Sequence, residues 1–143
     1  MRKTAFANFK GGVGKTTVAV NVATALRDEL RKGNPEARIL LADADSQAGA
    51  TALLTGRPPD EYQSTLATLL AGEHTLEQTL VRLDDPESGL DEEAQAAWAG
   101  IDLIPSNPDS KIRVAGPEDF WQLRDLLGDA ALPYSHALLD CGY

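Results

Sequence analysis

The sequence holds a single cysteine, Cys141, in 143 residues. One thiol excludes a disulfide framework and a cysteine-based zinc set. The two histidines, His74 and His136, are isolated from each other and from any cysteine pair, so neither is expected to hold a metal. No apolar run approaches the roughly 18 residues that span a bilayer. The opening MRKTAFANFK has no long apolar stretch and does not read as a signal peptide. These absences point to a reducing, cytoplasmic setting without a membrane. Aromatic residues make up only 6% of the chain, and Trp98 and Trp121 are expected to pack rather than to stack bases. Basic residues are also in short supply, 13 against 22 acids, for a net charge of −9. The deficit is uneven. Residues 1–32 carry seven Lys/Arg against Asp28 and Glu29, whereas residues 33–143 carry six against twenty acids. An acidic bulk argues against broad binding to a nucleic-acid backbone, which needs a basic face, so direct DNA binding is not expected. Elsewhere the acidity serves solubility. The basic end contains a glycine-rich stretch, which suits a small polyanion held locally.

What is present is ordinary for a globular protein: 43% apolar and 24% charged residues in a length that makes one domain, residues 1–143, with a real core. TAFANF (4–9) reads as a short buried strand. Val18, Val22, Leu26 and Leu30 fall four apart and mark one face of a helix from Lys15 to Lys32, stopped by Gly33 and Pro35. ARILLAD (37–43) is a second buried strand ending on an acid. Strand, glycine turn, helix, strand is a βαβ unit, which implies a parallel sheet. Residues 48–54 read as a short helix and 56–63 as a loop. STLATLLAG (64–72) reads as a helix with Ser64 as its N-cap, and HTLEQTLVRL (74–83) as another started by Thr75. DDPESGLDEEAQ (84–95) reads as an acidic surface loop. IDLIPS (101–106) is a third strand, PEDFWQLRDLLG (117–128) a helix opened by proline and closed by glycine, and SHALLD (135–140) a fourth strand ending on an acid.

Between the first strand and the first helix lies NFKGGVGKTT (8–17). The strict phosphate-loop pattern, G-x-x-x-x-G-K-[ST], would place its first glycine at position 9, which is Phe9. The remainder fits. Gly11, Gly12 and Gly14 let backbone N–H groups converge on an anion at the positive end of a helix. Lys15 is placed to reach terminal phosphates and the Thr16 hydroxyl to ligate Mg²⁺.

KGGVGKTT resembles the deviant Walker A loop of the ParA/MinD (Soj-like) ATPases. In that family the first glycine of the strict motif is dispensable, and a lysine, here Lys10, contacts phosphate across an ATP-sandwiched dimer. LLADADSQAGAT (40–51) is similar to the family's D-x-D-P-Q-G-N-A-T segment, with Ser46 in place of proline and Ala48-Gly49 in place of Gly-Asn. IDLIPSN resembles the family's I-P-S-N strand end. LRDLLGDAALPYSHALLDCGY resembles the approach to its Walker B acid, here Asp140. The resemblance implies a P-loop NTPase-like α/β fold, a parallel sheet with helices on both faces, truncated after the Walker B strand. It covers Lys3 to Tyr143, the first half or so of a typical member. It implies ATP or ADP with Mg²⁺ bound by Lys10, Gly11, Gly12, Val13, Gly14, Lys15, Thr16 and Thr17, and a metal shell formed by Thr16, Asp43 and Asp140. Lys10, Lys15 and Asp45 would be catalytic, Asp45 by positioning the attacking water.

The function implied is ATP hydrolysis in plasmid or chromosome partitioning through ATP-dependent dimerisation, with a ParB-like partner. The alternative is a non-hydrolysing nucleotide-binding or regulatory partner of a full-length relative. An electron carrier of the nitrogenase iron-protein type shares the loop but needs cluster cysteines that one Cys cannot supply. In the family's sheet order the loop strand lies between the Walker B strand and a later strand with no counterpart here. The strand at 4–8 is therefore expected at an open edge, a position that invites further pairing. Cys141 is expected as a buried thiol.

Overall fold

The computed structural model describes residues 1–7, 10, 12–110, 117–129 and 132–142. Five strands are found among them: β1 (Arg2–Phe6), β2 (Arg38–Ala44), β3 (Val81–Arg82), β4 (Ile101–Ile104) and β5 (Tyr134–Cys141). Six α-helices join them: α1 (Lys15–Gly33), α2 (Gly49–Thr55), α3 (Leu66–Leu70), α4 (Leu76–Thr79), α5 (Glu92–Ala97) and α6 (Pro117–Asp129). The sheet order is β1-β5-β2-β4-β3, with every pairing parallel except β3 against β4.

The near-continuous apolar runs of β2, β4 and β5 follow from burial on both faces of a parallel sheet. Ile39, Leu41 and Leu138 turn to one face, where Ala19, Val20 and Ala23 of α1 and Ala50 and Leu54 of α2 cover them. Leu40, Ala42, Ala137 and Leu139 turn to the other, against Leu66, Leu69 and Leu70 of α3 and Leu123 and Leu127 of α6. The expected α/β sheet with helices on both faces is what forms.

Among the described residues β1 pairs with β5 alone, and Arg2, Lys3, Thr4 and Ala5 are exposed. The strand that leads into the glycine loop is thus the open edge anticipated from the sequence. A groove of about 490 Å³ runs beside it, lined by Thr4, Ala5 and Leu139 and by Phe120, Trp121, Leu123 and Leu127 of α6. Trp121 is 57% exposed there, under the Arg124 guanidinium at 4.5 Å, rather than packed in the core. Trp98, in contrast, packs against the α1 face.

Several local expectations are corrected. The cap of α3 is Thr65, not Ser64. Thr65 is extended (φ −137°, ψ 171°), its hydroxyl accepts the Thr68 N–H, and the Thr68 hydroxyl accepts the Thr65 N–H in return. Thr75 does cap α4, but the helix ends at Thr79, because Val81 and Arg82 leave it to pair with Leu103 and Asp102. The acidic stretch 84–95 is not all loop: the Asp91 carboxylate accepts the Ala94 N–H and starts α5. The beginnings of β2, β4 and β5 are tied by Arg38. Its guanidinium donates to Asp102, and to Asp84 Oδ1 at 2.7 Å and Oδ2 at 3.1 Å, while the Tyr134 hydroxyl donates to Asp102 Oδ2 at 2.5 Å. Asp102 is fully buried.

Candidate functional site: the loop and acids at the carboxyl ends of the strands

The candidate residues gather where β1, β5, β2 and β4 end, the edge at which open α/β sheets hold their ligands. Gly12 (φ 71°) and Gly14 (φ 85°) occupy the left-handed region, which glycine enters without steric cost. Gly14 is also the N-cap of α1, so no side chain closes the first turn, and that turn contains no acid. Its N–H groups and dipole are therefore presented to an anion. Lys10, Gly12, Val13 and Thr17 are exposed, and Lys15 and Thr16 are half-buried. Gly11 lies outside the described residues, as do Asn8 and Phe9 of the expected first strand.

Register then brings the acids to this loop. Phe6, Asp140 and Asp43 form one transverse row across β1, β5 and β2. The Thr16 hydroxyl donates to Asp140 Oδ2 at 2.5 Å, and Asp140 Oδ1 is buried without a hydrogen-bond partner. Burial pushes the Asp140 carboxyl above its ordinary range, assisted by the Asp45 charge and opposed by the Thr16 bond and Lys15. Asp43 is fully buried, and burial, with a smaller push from Asp140, carries its carboxyl up to about 6. Its oxygens accept three hydrogen bonds, from Thr51 N–H at 2.8 Å, Thr51 Oγ1 at 2.7 Å and Asp45 N–H at 3.1 Å. The Asp45 carboxylate accepts the Gln47 N–H at 2.9 Å and lies against Gly142, where a Cβ would stand 3.1 Å from Oδ1. Cys141 is buried, and burial beside these acids raises its thiol to about 11.

The turn from β2 into α2 departs from the Gly-Asn expected of it. Ala48 adopts a left-handed conformation (φ 53°, ψ 40°), which costs an L-residue about 1–2 kcal/mol. The displaced glycine, Gly49, lets α2 approach the loop helix: a Cβ there would stand 3.2 Å from Thr16 Oγ1. Two further residues belong to the site, Thr51 and Ser106. Both lie in segments the sequence singled out, but neither was assigned a role. The signal that locates Ser106 is the I-P-S-N strand end, which places a hydroxyl at the end of β4.

A glycine loop feeding a helix N-terminus, a hydroxyl on its second residue and an acid ending the adjacent strand define a phosphate-loop α/β protein, P-loop NTPase-like in fold. The chain belongs to the AAA domain family, whose model matches residues 1–141. It is 34% identical to the chromosome partitioning protein ParA of Caulobacter vibrioides over 99% of this chain and 48% of that protein. It is 35% identical to the chromosome-partitioning ATPase Soj of Thermus thermophilus over 98% of this chain and 45% of that one. The chain spans about half the length of these curated relatives. The resemblance to ParA and Soj proteins read from the sequence is borne out. Among solved structures, cobyrinic acid a,c-diamide synthase from Mycobacterium smegmatis, with bound ATP analog and magnesium, superposes with a TM-score of 0.71 at 27% identity. That match covers 99% of this chain and 51% of the synthase. No helix among the described residues is long and apolar enough to cross a membrane.

Proposed function

We propose that this chain binds Mg²⁺ with ATP or ADP at residues 10–17 and hydrolyses ATP as part of a ParA-type partitioning ATPase. The observation that carries the reading is the Thr16–Asp140 contact at the foot of α1, with Asp140 Oδ1 buried and unpartnered beside it. A buried carboxylate oxygen without a donor costs free energy that a divalent cation or its water would recover. The residues present therefore fit the metal: Thr16 would ligate it and Asp140 would hold it from the next strand, while Asp43, its oxygens already taken by protein donors, would support that shell from the strand beyond without ligating it. Mg²⁺ would neutralise charge on the terminal phosphates. The open N–H groups of Gly12–Thr17 cradle the phosphates, Lys15 pairs with their charge, and Asp45 orients the attacking water. Lys10, exposed in the loop, suits contact with the nucleotide of a second subunit in an ATP-sandwiched homodimer. The ParA and Soj relatives named above are chromosome-partitioning proteins and support a partitioning role, of a chromosome or a plasmid, in which a ParB-like partner would act on the dimer. The acidic balance of residues 33–143 argues against direct DNA contact by this chain.

The open edge of β1 favours a second reading. A strand able to accept another chain suits a non-hydrolysing nucleotide-binding or regulatory partner of a full-length ParA-type ATPase. Calorimetry with Mg²⁺·ATP and Mg²⁺·ADP, alongside turnover and oligomeric state, separates the readings. Lys15→Ala is expected to weaken binding about 10- to 100-fold, the size of a lost charged hydrogen bond. Lys10→Ala and Asp45→Ala are expected to reduce turnover. No binding by the unmodified chain, or equal binding by Lys15→Ala, refutes both readings. Binding without turnover selects the second.

A further inference from the structure

The Asp45 peptide is held from both sides by a closed ring of hydrogen bonds. Its N–H donates to Asp43 Oδ1 at 3.1 Å. Its carbonyl accepts from Ser106 Oγ at 2.9 Å. The Ser106 N–H donates to Thr51 Oγ1 at 2.9 Å, and Thr51 Oγ1 donates to Asp43 Oδ2 at 2.7 Å, closing the circuit. The Thr51 N–H adds a chord to Asp43 Oδ2 at 2.8 Å. Donor chemistry fixes the direction of each bond. Ser106 N–H can only donate, so Thr51 Oγ1 must accept there and give its one proton to Asp43, which as a carboxylate can only accept. The ring unites the end of β2, the first turns of α2 and the end of β4. These elements are already aligned, since Ala42 pairs with Ile104.

We propose that Asp43, Thr51 and Ser106 are positioning residues that set the Asp45 carboxylate relative to Thr16 and Asp140, and that Asp43 acts through this ring rather than by ligating a metal. Both Asp43 oxygens are already occupied by protein donors, while Asp140 keeps one oxygen unpartnered. Ser106 is the member that neither strand pairing nor core packing requires: its side chain is half-buried, and among the described residues its hydroxyl bonds only to the Asp45 carbonyl. The proposal rests on the reading of Asp45 as the residue that orients water.

The test uses the ligand-free chain first. Amide hydrogen exchange followed by NMR should show Ser106→Ala accelerating exchange at residues 45–48 by about 5- to 10-fold, the equivalent of one net hydrogen bond. Amides of β2 and β5 should keep the unmodified rates. Thr51→Val should do the same at Asp45 and Ser106, and Thr51→Ser should restore the unmodified pattern. With Mg²⁺·ATP added, Ser106→Ala should lower kcat about tenfold while leaving KM and the affinity for Mg²⁺·ADP within about threefold. Unchanged exchange at Asp45 in Ser106→Ala, or acceleration spread evenly over β2 and β5, overturns the proposal. If the unmodified chain binds no nucleotide, the assigned function fails, and the exchange pattern alone decides whether the ring positions Asp45.

Discussion

Raising the pH of the metal-free, nucleotide-free chain from 4 to 7.5 should cost it stability through Asp43. Burial carries this carboxyl from an ordinary 3.8 up to about 6. A raised folded-state pKa means that the folded chain holds this proton where the unfolded chain has lost it. The stabilisation is therefore full below about 3.8, and it is lost as the pH rises through about 6. At about 1.4 kcal/mol per pH unit, the gap corresponds to about 3 kcal/mol, with no discount for solvent because the side chain is fully buried. The charge facing it is Asp140 on the neighbouring β5. That repulsion is mutual, so removing the Asp43 charge also eases the ionisation of Asp140, and the difference in slope belongs to the pair. The assay is urea denaturation of the unmodified chain and of Asp43→Asn across the pH range, in the presence of a chelator. The amide introduced by Asp43→Asn turns an NH₂ group or a neutral oxygen toward the Asp45 N–H, a loss that does not vary with pH, so only the slopes are compared. The unmodified chain should lose about 2.4 kcal/mol more than the variant between pH 4 and 7.5, because the full gap is reached only below about 3.8. Parallel curves would refute the claim that Asp43 is buried with a strained charge.

Other expectations can be checked separately. Arg38→Met should destabilise the chain by about 3–5 kcal/mol in urea, because it keeps much of the side-chain volume but leaves buried Asp102 without its guanidinium. A loss below about 1 kcal/mol would show that the cluster carries no net weight. Gly49→Ala should weaken nucleotide binding in the presence of Mg²⁺ and leave metal-free binding nearly unchanged, since its Cβ would press on Thr16 Oγ1 from 3.2 Å. Equal weakening with and without Mg²⁺, measured by calorimetry, would argue against Thr16 as the metal's ligand. Thr65→Ala should cost about 1 kcal/mol of stability, whereas Ser64→Ala should stay within about 0.5 kcal/mol.

The central strands were legible because burial on both faces leaves little choice of residue: ARILLAD and SHALLD are nearly unbroken apolar runs that end on the acids the site uses. The loop was legible for a related reason, since positive φ at Gly12 and Gly14 and an uncapped helix start restrict the residues allowed. β3 was not, because Val81 and Arg82 continue a helix-like spacing from Leu76 and Leu80, and only Leu103 and Asp102 across the sheet draw them out of it. α5 was hidden by its polarity: EEAQAA has no apolar stripe, and only Asp91 and the packing of Ala94 and Trp98 fix it. Ser64 and Thr65 carry the same chemistry, and the reciprocal bond from Thr68 decides between them. At the site, Lys15, Thr16 and Asp140 follow from spacing and strand ends. The ring through Thr51 and Ser106 does not, because it joins residues 55 apart through the approach of α2 to β4.

The row that carries Phe6, Asp140 and Asp43 gives the site two mechanically different halves. Asp140 and Asp43 stand on strands hydrogen-bonded along both sides, so their separation is set by the strand spacing of about 4.8 Å and cannot widen without unzipping the β2–β5 ladder. Their mutual repulsion can be relieved only chemically, by a proton or a cation. The glycine loop, in contrast, hangs from β1, which is fastened along one side. A ligand spanning both halves therefore clamps a compliant arm against a fixed anvil. Order gained on binding will concentrate in β1 and the first turn of α1, while the acids keep the same positions with or without it.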